Sequence, residues 1–186
     1  MTILLIAEAR SGSTNLAKWL KQSLPGYKLF NEPFNYRSSH YVGKNNKIDY
    51  NENIIISEKY FYNEELINEY LKNSDKVFCL TRENKVEQME SYIMALKTEN
   101  WYSKYIPKNI YDNIENFGFR ELERFHQSRI DFKNFIDTNN LKTFTYENLY
   151  FNNGIDELKT YLNIESDISF PYGERYRQFD IKKSIV

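Results

Sequence analysis

Short apolar runs alternate along this chain with segments whose apolar residues recur at helical spacing. The runs are ILLIA (3–7), YKLF (27–30), NIIIS (53–57), KVFCLT (76–81) and one within LKTFTYENL (141–149). ILLIA is continuously apolar, which is typical of a strand that is buried on both faces. Strands that alternate with helices indicate a parallel sheet with helices on both sides. We therefore expect an α/β fold with a central parallel sheet flanked by helices.

The helices are predicted from apolar residues that lie three or four positions apart. The first begins near Thr14 and ends before Pro25-Gly26, because proline and glycine terminate helices. The apolar positions of the five predicted helices are Leu16, Trp19, Leu20 and Leu24; Leu66, Ile67, Tyr70 and Leu71; Val86, Met89, Ile93 and Leu96; Leu122, Phe125, Phe132 and Ile136; and Ile155, Leu158 and Leu162. Residues 35–52 and 98–117 follow no such pattern.

Length, charge and cysteine content exclude several classes of protein. A chain of 186 residues is expected to form one domain, residues 1–186. Its net charge of −1 argues against a nucleic-acid-binding protein, which would carry a broad basic field. No apolar run is long enough to span a membrane, and Met1 leads into a strand-like run without a basic leader. These features predict a cytoplasmic protein. The single cysteine, Cys79, excludes an intramolecular disulfide and is expected to be a buried thiol.

The loop after the first predicted strand, AEARSGSTN (7–15), has the composition of an anion site. It leads into a helix, whose first N–H groups have no partner within the helix and favour an anion. Gly12 lets an anion approach the backbone, and Arg10 adds a guanidinium group. The loop contributes three hydroxyl groups, from Ser11, Ser13 and Thr14. An ordinary capping turn would use similar residues, so the loop alone leaves both interpretations open.

This loop departs from the P-loop of nucleotide-binding enzymes, G-x-x-x-x-G-K-[ST]. Ala7 stands where that motif has its first glycine, and Ser13 stands where it has its lysine. The cation is Arg10 instead, before the glycine. A P-loop kinase would need a lysine near Ser13 and an aspartate that binds Mg²⁺, and the sequence indicates neither. A P-loop-type small-molecule kinase is for this reason the alternative function and not the preferred one.

A second group of polar residues follows the fourth predicted strand, in CLTRENKVEQMESYIMAL (79–96). Arg82 comes directly after that strand, at the carboxyl end where open α/β sheets bind ligands. Ser91 lies nine residues further on, within the next predicted helix. The plain alternative for Arg82 is a surface salt bridge with Glu83 or Glu87, and the alternative for Ser91 is an exposed hydroxyl.

Together these segments resemble the sulfotransferases that use 3′-phosphoadenosine 5′-phosphosulfate (PAPS), in the bacterial and carbohydrate-type branch. RSGST (10–14) is similar to the [RK]-S-G-[ST]-T loop of that family, and LTREN with the later Gln and Ser is similar to its Arg–Ser segment. TYENL (145–149) resembles the Tyr-Glu-[DN]-Leu after the family's late strand, and NEPFN (31–35) resembles the segment after its second strand. The matches occur in the family's order over about residues 1–165.

The resemblance implies a P-loop-like sulfotransferase fold, PAPS as the sulfuryl donor and no metal. It implies that Arg82 and Ser91 bind the 3′-phosphate of the nucleotide. The residues that it assigns to the 5′-phosphosulfate are Arg10, Ser11, Gly12, Ser13, Thr14 and Asn15. The acceptor would be a hydroxyl (or amine) of a small molecule or a carbohydrate. A catalytically inactive module that binds PAPS or its product is the other alternative.

Sulfuryl transfer needs a base within hydrogen-bond reach of the acceptor, and fixed donors for the leaving phosphate. Arg10 and the start of the first helix could supply those donors. The carbohydrate-type branch uses a glutamate as base, which implies Glu32, before Pro33; the plain alternative is an exposed turn carboxylate. Other members use a histidine. His40 is the reserve candidate here, and His126 is expected on a helix surface.

Further candidates for the site come from the remaining polar and aromatic segments. Lys59 follows the third predicted strand and could line the site or be solvated. Arg175 and Arg177 lie in a rough analogue of the basic loop that closes over the adenosine in many family members. Three aromatic residues could stack on an acceptor sugar or belong to the core: Trp101, Tyr102 and Tyr105.

Overall fold

The computed structural model of the protein describes residues 1–33, 35, 48–60, 64–98 and 119–170. The strands are β1 (Thr2–Ala7), β2 (Lys28–Asn31), β3 (Ile54–Lys59), β4 (Lys76–Thr81) and β5 (Lys142–Thr145). The helices are α1 (Ser13–Ser23), α2 (Glu64–Lys72), α3 (Lys85–Thr98), α4 (Phe119–Asn139), α5 (Tyr146–Phe151) and α6 (Ile155–Leu162). Every strand and helix predicted from the sequence is present, and the short α5 is additional to the prediction.

The five strands form one parallel sheet in the order β2-β3-β1-β4-β5. The predicted α/β fold with a central parallel sheet is therefore confirmed. The chain runs from β1 out to β2 and β3 and then returns past β1 to β4, so the direction of its connections reverses between β1 and β4. The carboxyl ends of strands at such a reversal form the crevice in which open α/β sheets bind ligands.

Helices cover both faces of the sheet, because successive side chains of the central strand β1 point to opposite sides. Ile3, Leu5 and Ala7 pack on one side with α1, α5 and α6. Leu4 and Ile6 pack on the other side with α2 and α4. All six residues of β1 are buried, as its continuously apolar sequence predicts. The sheet and its two helical layers form a single domain.

The predictions made for Cys79 and for membrane segments agree with this arrangement. Cys79 lies in the core on the α2 and α4 side, and burial raises the pKa of its thiol to about 12. Such a thiol stays protonated and unreactive. In the part of the chain that the structure describes, no helix has the length and apolar character to cross a membrane. The same residues include no group of three or more His, Cys, Asp or Glu side chains that could hold a metal ion.

Helix α3 is rotated relative to the prediction. The face predicted to be buried consisted of Val86, Met89, Ile93 and Leu96. Val86 is in fact 62% exposed and Met89 is also exposed, whereas Gln88 is fully buried. The amide nitrogen of Gln88 donates to Glu8 Oε2 at 3.0 Å and to Ala9 O at 2.8 Å. These polar contacts orient the first turn of α3 toward the loop after β1, and an apolar pattern carries no information about them.

Candidate functional site

Four strands deliver the predicted site residues to one edge of the sheet. Arg10 follows β1, Glu32 follows β2 and Arg82 follows β4, while Lys59 is the last residue of β3. Because all the strands are parallel, the residues at their carboxyl ends lie on the same edge. These residues are far apart in the sequence, and the strand topology of the sheet brings them to the same edge.

The residues assigned to the two phosphates of the nucleotide are in direct contact. Arg10 Nε donates to Ser91 Oγ at 2.8 Å across 81 positions of sequence. The Arg82 guanidinium donates through Nη1 to the backbone oxygen of Arg10 at 3.3 Å. The loop after β1 and the segment after β4 therefore meet at one site, which contains both arginines.

Arg82 is enclosed by partners from several segments. Its Nη2 lies 2.8 Å from Glu87 Oε2, and its Nε lies 3.8 Å from Glu147 Oε1. Its guanidinium carbon lies 4.8 Å from the centre of the Tyr146 ring, a cation–π distance. The side chain is only 13% exposed. The salt bridge with Glu87 is thus present, but Arg82 is a largely buried cation and not a surface residue.

The TYENL segment joins the other two motifs. The Glu147 carboxylate accepts backbone N–H groups of Glu83 at 2.9 Å and of Asn84 at 3.0 Å, just before α3 begins. The Tyr146 ring covers Gly12, where an added Cβ would lie 2.8 Å from Tyr146 Cδ2. Gly12 also has φ 84°, a conformation that side chains other than glycine rarely adopt. Glycine is therefore required at this position by both space and backbone geometry.

The hydroxyl groups of the loop are not equally available to a ligand. Ser11 is fully buried, and its Oγ donates to Glu8 O at 2.8 Å. Ser13 is also buried, and its Oγ contacts Lys59 Nζ. Thr14 and Asn15, in the first turn of α1, are half-buried. An anion at the start of α1 would therefore meet backbone N–H groups and the Thr14 and Asn15 side chains before the serine hydroxyls.

Glu32 and Lys59 form a carboxylate–ammonium pair beside the loop. Glu32 is 5% exposed, so it is not the exposed turn carboxylate that was its plain alternative. Its Oε2 accepts from Asn35 Nδ2 at 2.8 Å, and its Oε1 lies 3.9 Å from Lys59 Nζ. The side chain of Lys59 is 12% exposed and contacts both Glu32 and Ser13. Lys59 is therefore part of the site and not a solvated lysine, and it links the candidate base to the first turn of α1.

The pKa values of Lys59, which belongs to this pair, and of its neighbour Glu58 are both shifted. Burial lowers the pKa of Lys59, and the charge of Arg10 lowers it further, against the opposing effect of Glu32 and Glu58. Glu58 is buried, which raises its pKa to about 7, and the Glu32 charge adds to this effect. A hydrogen bond from the Lys59 backbone N–H, at 2.9 Å, acts in the opposite direction. The sequence analysis did not identify Glu58. A glutamate that continues an apolar strand was the feature of the sequence that could have indicated a buried carboxylate.

Backbone strain is found at both predicted catalytic residues. Among the described residues, five other than glycine have positive φ. Three of them are asparagines, which tolerate this conformation: Asn140, Asn153 and Asn163. The other two are Arg10 at φ 62° and Glu32 at φ 49°. Unfavourable backbone conformations of this kind are retained where the surrounding structure imposes them, most often at functional sites.

The remaining candidates fall into two groups. His126 is exposed on α4, as predicted. Six others lie outside the described residues, and their predicted roles stay predictions: His40, Trp101, Tyr102, Tyr105, Arg175 and Arg177.

The arrangement suits a ligand with two anionic groups and a neighbouring group that loses a proton. Arg10, Arg82 and the start of α1 can hold the anions, because guanidinium and helix N–H groups are strong donors to phosphate or sulfate oxygens. Glu32 can accept a proton next to them. Comparison of the chain with protein-family models, with curated proteins and with solved structures found no match.

Proposed function

We propose that the protein is a sulfotransferase that moves a sulfuryl group from PAPS to a hydroxyl (or amine) of a small-molecule or carbohydrate acceptor. We propose with it that the α/β domain is a P-loop-like sulfotransferase fold. The observation that carries the proposal is the contact between the two motifs, in which Arg10 Nε donates to Ser91 Oγ and Arg82 donates to Arg10 O. The resemblance assigns these residues to the two ends of one nucleotide, which requires them to be neighbours.

The donors of the site match the two ends of that nucleotide. Arg10, Gly12 and the first turn of α1 would hold the 5′-phosphosulfate at the carboxyl end of β1. Arg82 and Ser91 would hold the 3′-phosphate. A guanidinium has five N–H donors, so Arg82 can keep its contact with Glu147 while it binds phosphate oxygens. Arg10 would exchange its contact with Ser91 for the ligand.

The residues around Glu32 supply what transfer requires. PAPS provides the sulfuryl group, whose sulfur bonds to the acceptor oxygen as its bond to the bridging phosphate oxygen breaks. The Glu32 carboxylate takes the acceptor proton, and Asn35 and Lys59 hold that carboxylate in place. Arg10 and the N–H groups of α1 stabilise the charge that develops on the leaving 5′-phosphate. Donors that the fold holds in place in this way need little reorganisation during the reaction.

The experiment that tests this assignment is the substitution Glu32→Gln. It keeps the shape of the side chain and removes its basicity. Transfer of labelled sulfate from PAPS to a panel of sugars and simple alcohols should fall by about 10²–10⁴-fold, mainly in kcat. Affinity for adenosine 3′,5′-bisphosphate should stay unchanged, since Glu32 would contact the acceptor. Glu52→Gln is the matched control, because Glu52 is an exposed carboxylate paired with Lys28 at the start of β2.

Two results would redirect the proposal. Transfer by Glu32→Gln within a few-fold of wild type would mean that the base is another residue, and His40 would be changed next. Tight binding of adenosine 3′,5′-bisphosphate by a wild-type protein that sulfates no acceptor would support the inactive binding module.

One observation favours the alternative of a P-loop-type small-molecule kinase. Such an enzyme needs a lysine at the start of its first helix, and Lys59 Nζ contacts Ser13 Oγ there. The second cationic group, Arg82 with Ser91, has no role in that interpretation. Binding of ATP that depends on Mg²⁺ and exceeds binding of adenosine 3′,5′-bisphosphate would favour the kinase.

A further inference from the structure

A buried carboxylate lies within the loop that is proposed to bind an anion. Glu8 follows β1 directly and is 8% exposed. Its Oε2 accepts from the Arg82 backbone N–H at 3.1 Å and from Gln88 Nε2 at 3.0 Å. Its Oε1 accepts from Arg129 Nε of α4 at 3.4 Å. Three separate segments of the chain therefore meet at one side chain.

A negative charge at this place is unfavourable unless it is compensated. Burial of an ionised carboxylate costs free energy, and an anion bound by the same loop would be repelled. Arg129, which is itself mostly buried, supplies the compensating charge. The hydrogen bonds of this buried carboxylate to Arg82, Gln88 and Arg129 are therefore the feature to explain.

Both residues that are proposed to bind the 3′-phosphate, Arg82 and Ser91, lie close to a contact of Glu8. Arg82 is bonded to Glu8 through its own backbone N–H, and Ser91 lies one helical turn after Gln88. Gln88 also donates to Ala9 O at 2.8 Å, next to Arg10. Glu8 thus ties the loop after β1, the segment after β4 and the first turn of α3 to one point.

We propose that Glu8 is a positioning residue that fixes the separation between the two phosphate-binding groups, Arg10 with α1 and Arg82 with Ser91. The inference rests on the proposed function, because that function supplies a ligand with two phosphates at a fixed distance. Glu8 does not touch the ligand; it acts through Arg82 and Gln88. A nucleotide with one phosphate engages only one group and does not depend on their separation.

The test compares adenosine 3′,5′-bisphosphate with adenosine 5′-phosphate by calorimetric titration. Glu8→Ala should weaken binding of the bisphosphate about 10- to 100-fold, as for loss of hydrogen bonds to a charged group. Binding of the monophosphate should change less than about 3-fold. Glu8→Gln should restore most of the bisphosphate affinity, because its amide oxygen can still accept from Arg82 and Gln88. Tyr161→Phe is the control for general destabilisation, since it removes a 2.7 Å hydrogen bond to Val77 O near the start of β4.

Several outcomes would overturn the inference. A proportional loss of affinity for both nucleotides in Glu8→Ala would mean that Glu8 only stabilises the fold, as would an equal loss in Tyr161→Phe. Wild-type affinity for both nucleotides in Glu8→Ala would mean that another residue sets the separation. If Glu8→Ala does not fold, the two nucleotides are compared with Gln88→Ala instead. A Gln88→Ala variant that prefers the bisphosphate as strongly as the wild type does would contradict the inference. A wild-type protein with no preference for the bisphosphate would instead contradict the proposed function.

Discussion

Arg10 and Glu32 have backbone conformations that are unfavourable for their side chains. Their positive φ values place them in the left-handed region, where a residue with a Cβ is less stable than glycine by about 1–2 kcal/mol. Both residues lie at strand ends, where the chain turns sharply into the site. A substitution series at Arg10 can therefore separate the stability of the fold from the function of the site.

We expect Arg10→Gly to be more stable than Arg10→Ala by about 1 kcal/mol. Both variants lack the guanidinium and its hydrogen bond to Ser91, so they differ only in the backbone. Urea denaturation of the two variants measures the difference. At an ordinary helical position such as Lys18, the same pair should give the opposite order, because alanine favours the helix there. An Arg10→Ala variant that is the more stable of the two would show that Arg10 is not strained.

The two arginines should differ in what they contribute. Arg82→Ala should weaken binding of adenosine 3′,5′-bisphosphate by ~1.5–3 kcal/mol, the usual value for a hydrogen bond to a charged group. Arg10→Ala should reduce kcat at least as much as binding, because its partner gains charge in the transition state. Titration calorimetry and transfer assays measure the two effects. Normal nucleotide binding by Arg82→Ala would mean that the segment after β4 has been misinterpreted.

Glu58 should make the stability of the fold depend on pH. Its pKa is about 7 in the folded protein and near 4.5 in an unfolded chain. As pH rises from 4.5 to 7, the unfolded state loses this proton first, so the free energy of unfolding falls and then levels off above pH 7. A pKa difference of this size corresponds to a loss of roughly 3 kcal/mol. Glu58→Gln cannot titrate at this position, so its free energy of unfolding, measured by urea denaturation, should lack this part of the decline with pH. Parallel pH profiles for the two proteins would contradict the assignment.

The sequence identifies site residues where both the residue type and its position after a predicted strand are typical of a binding site. Arg10, Glu32 and Arg82 each lie within three residues after a predicted strand, and the structure brings all three to one edge. Glu8 and Glu58 could not be identified in this way. A carboxylate at a strand end is usually solvated, and only the tertiary packing of α3 and α4 shows that Glu8 is buried and bonded.

At the scale of elements, prediction succeeded where apolar contacts decide the structure and failed where polar contacts do. The predicted strand 76–81 has the bounds of β4, and the helix predicted from Thr14 begins one residue earlier, at Ser13. The rotation of α3 follows from Gln88, which is buried by its hydrogen bonds to Glu8 and Ala9. Apolar spacing cannot predict a face that is held by an amide group, and it gave the wrong face for the first turn of this helix.

The start of α3 should depend on Asn84. Its Oδ1 accepts the backbone N–H of Glu87 at 3.1 Å, the usual geometry of an N-cap. Asn84→Ala should lower stability by about 1 kcal/mol, which lowers Tm by ~2–4 °C in a domain of this size. Asn84→Gly should cost only a few tenths of a kcal/mol. Differential scanning calorimetry distinguishes the two, and equal losses would show that the cap is not the cause.

For the whole molecule, the sequence predicts the kind of sheet but not the order of its strands. Alternating strands and helices indicate parallel pairing with both faces covered. The neighbours of β1 in the sheet are β3 and β4, which are not its neighbours in sequence, and no local pattern specifies those pairs. That order nevertheless decides the site, because it sets the loop after β1 beside the segment after β4.

The most direct measurement is the melting temperature of the wild-type protein with adenosine 3′,5′-bisphosphate, ADP and ATP, with and without Mg²⁺. If Arg82 and Ser91 bind a 3′-phosphate, the bisphosphate at 100-fold its Kd should add about 2.7 kcal/mol of stability, which raises Tm by roughly 5–10 °C. ADP, which lacks a 3′-phosphate, should raise Tm by a small fraction of that amount. Equal shifts with the bisphosphate and ADP, or a larger shift with ATP that requires Mg²⁺, would contradict a site for PAPS.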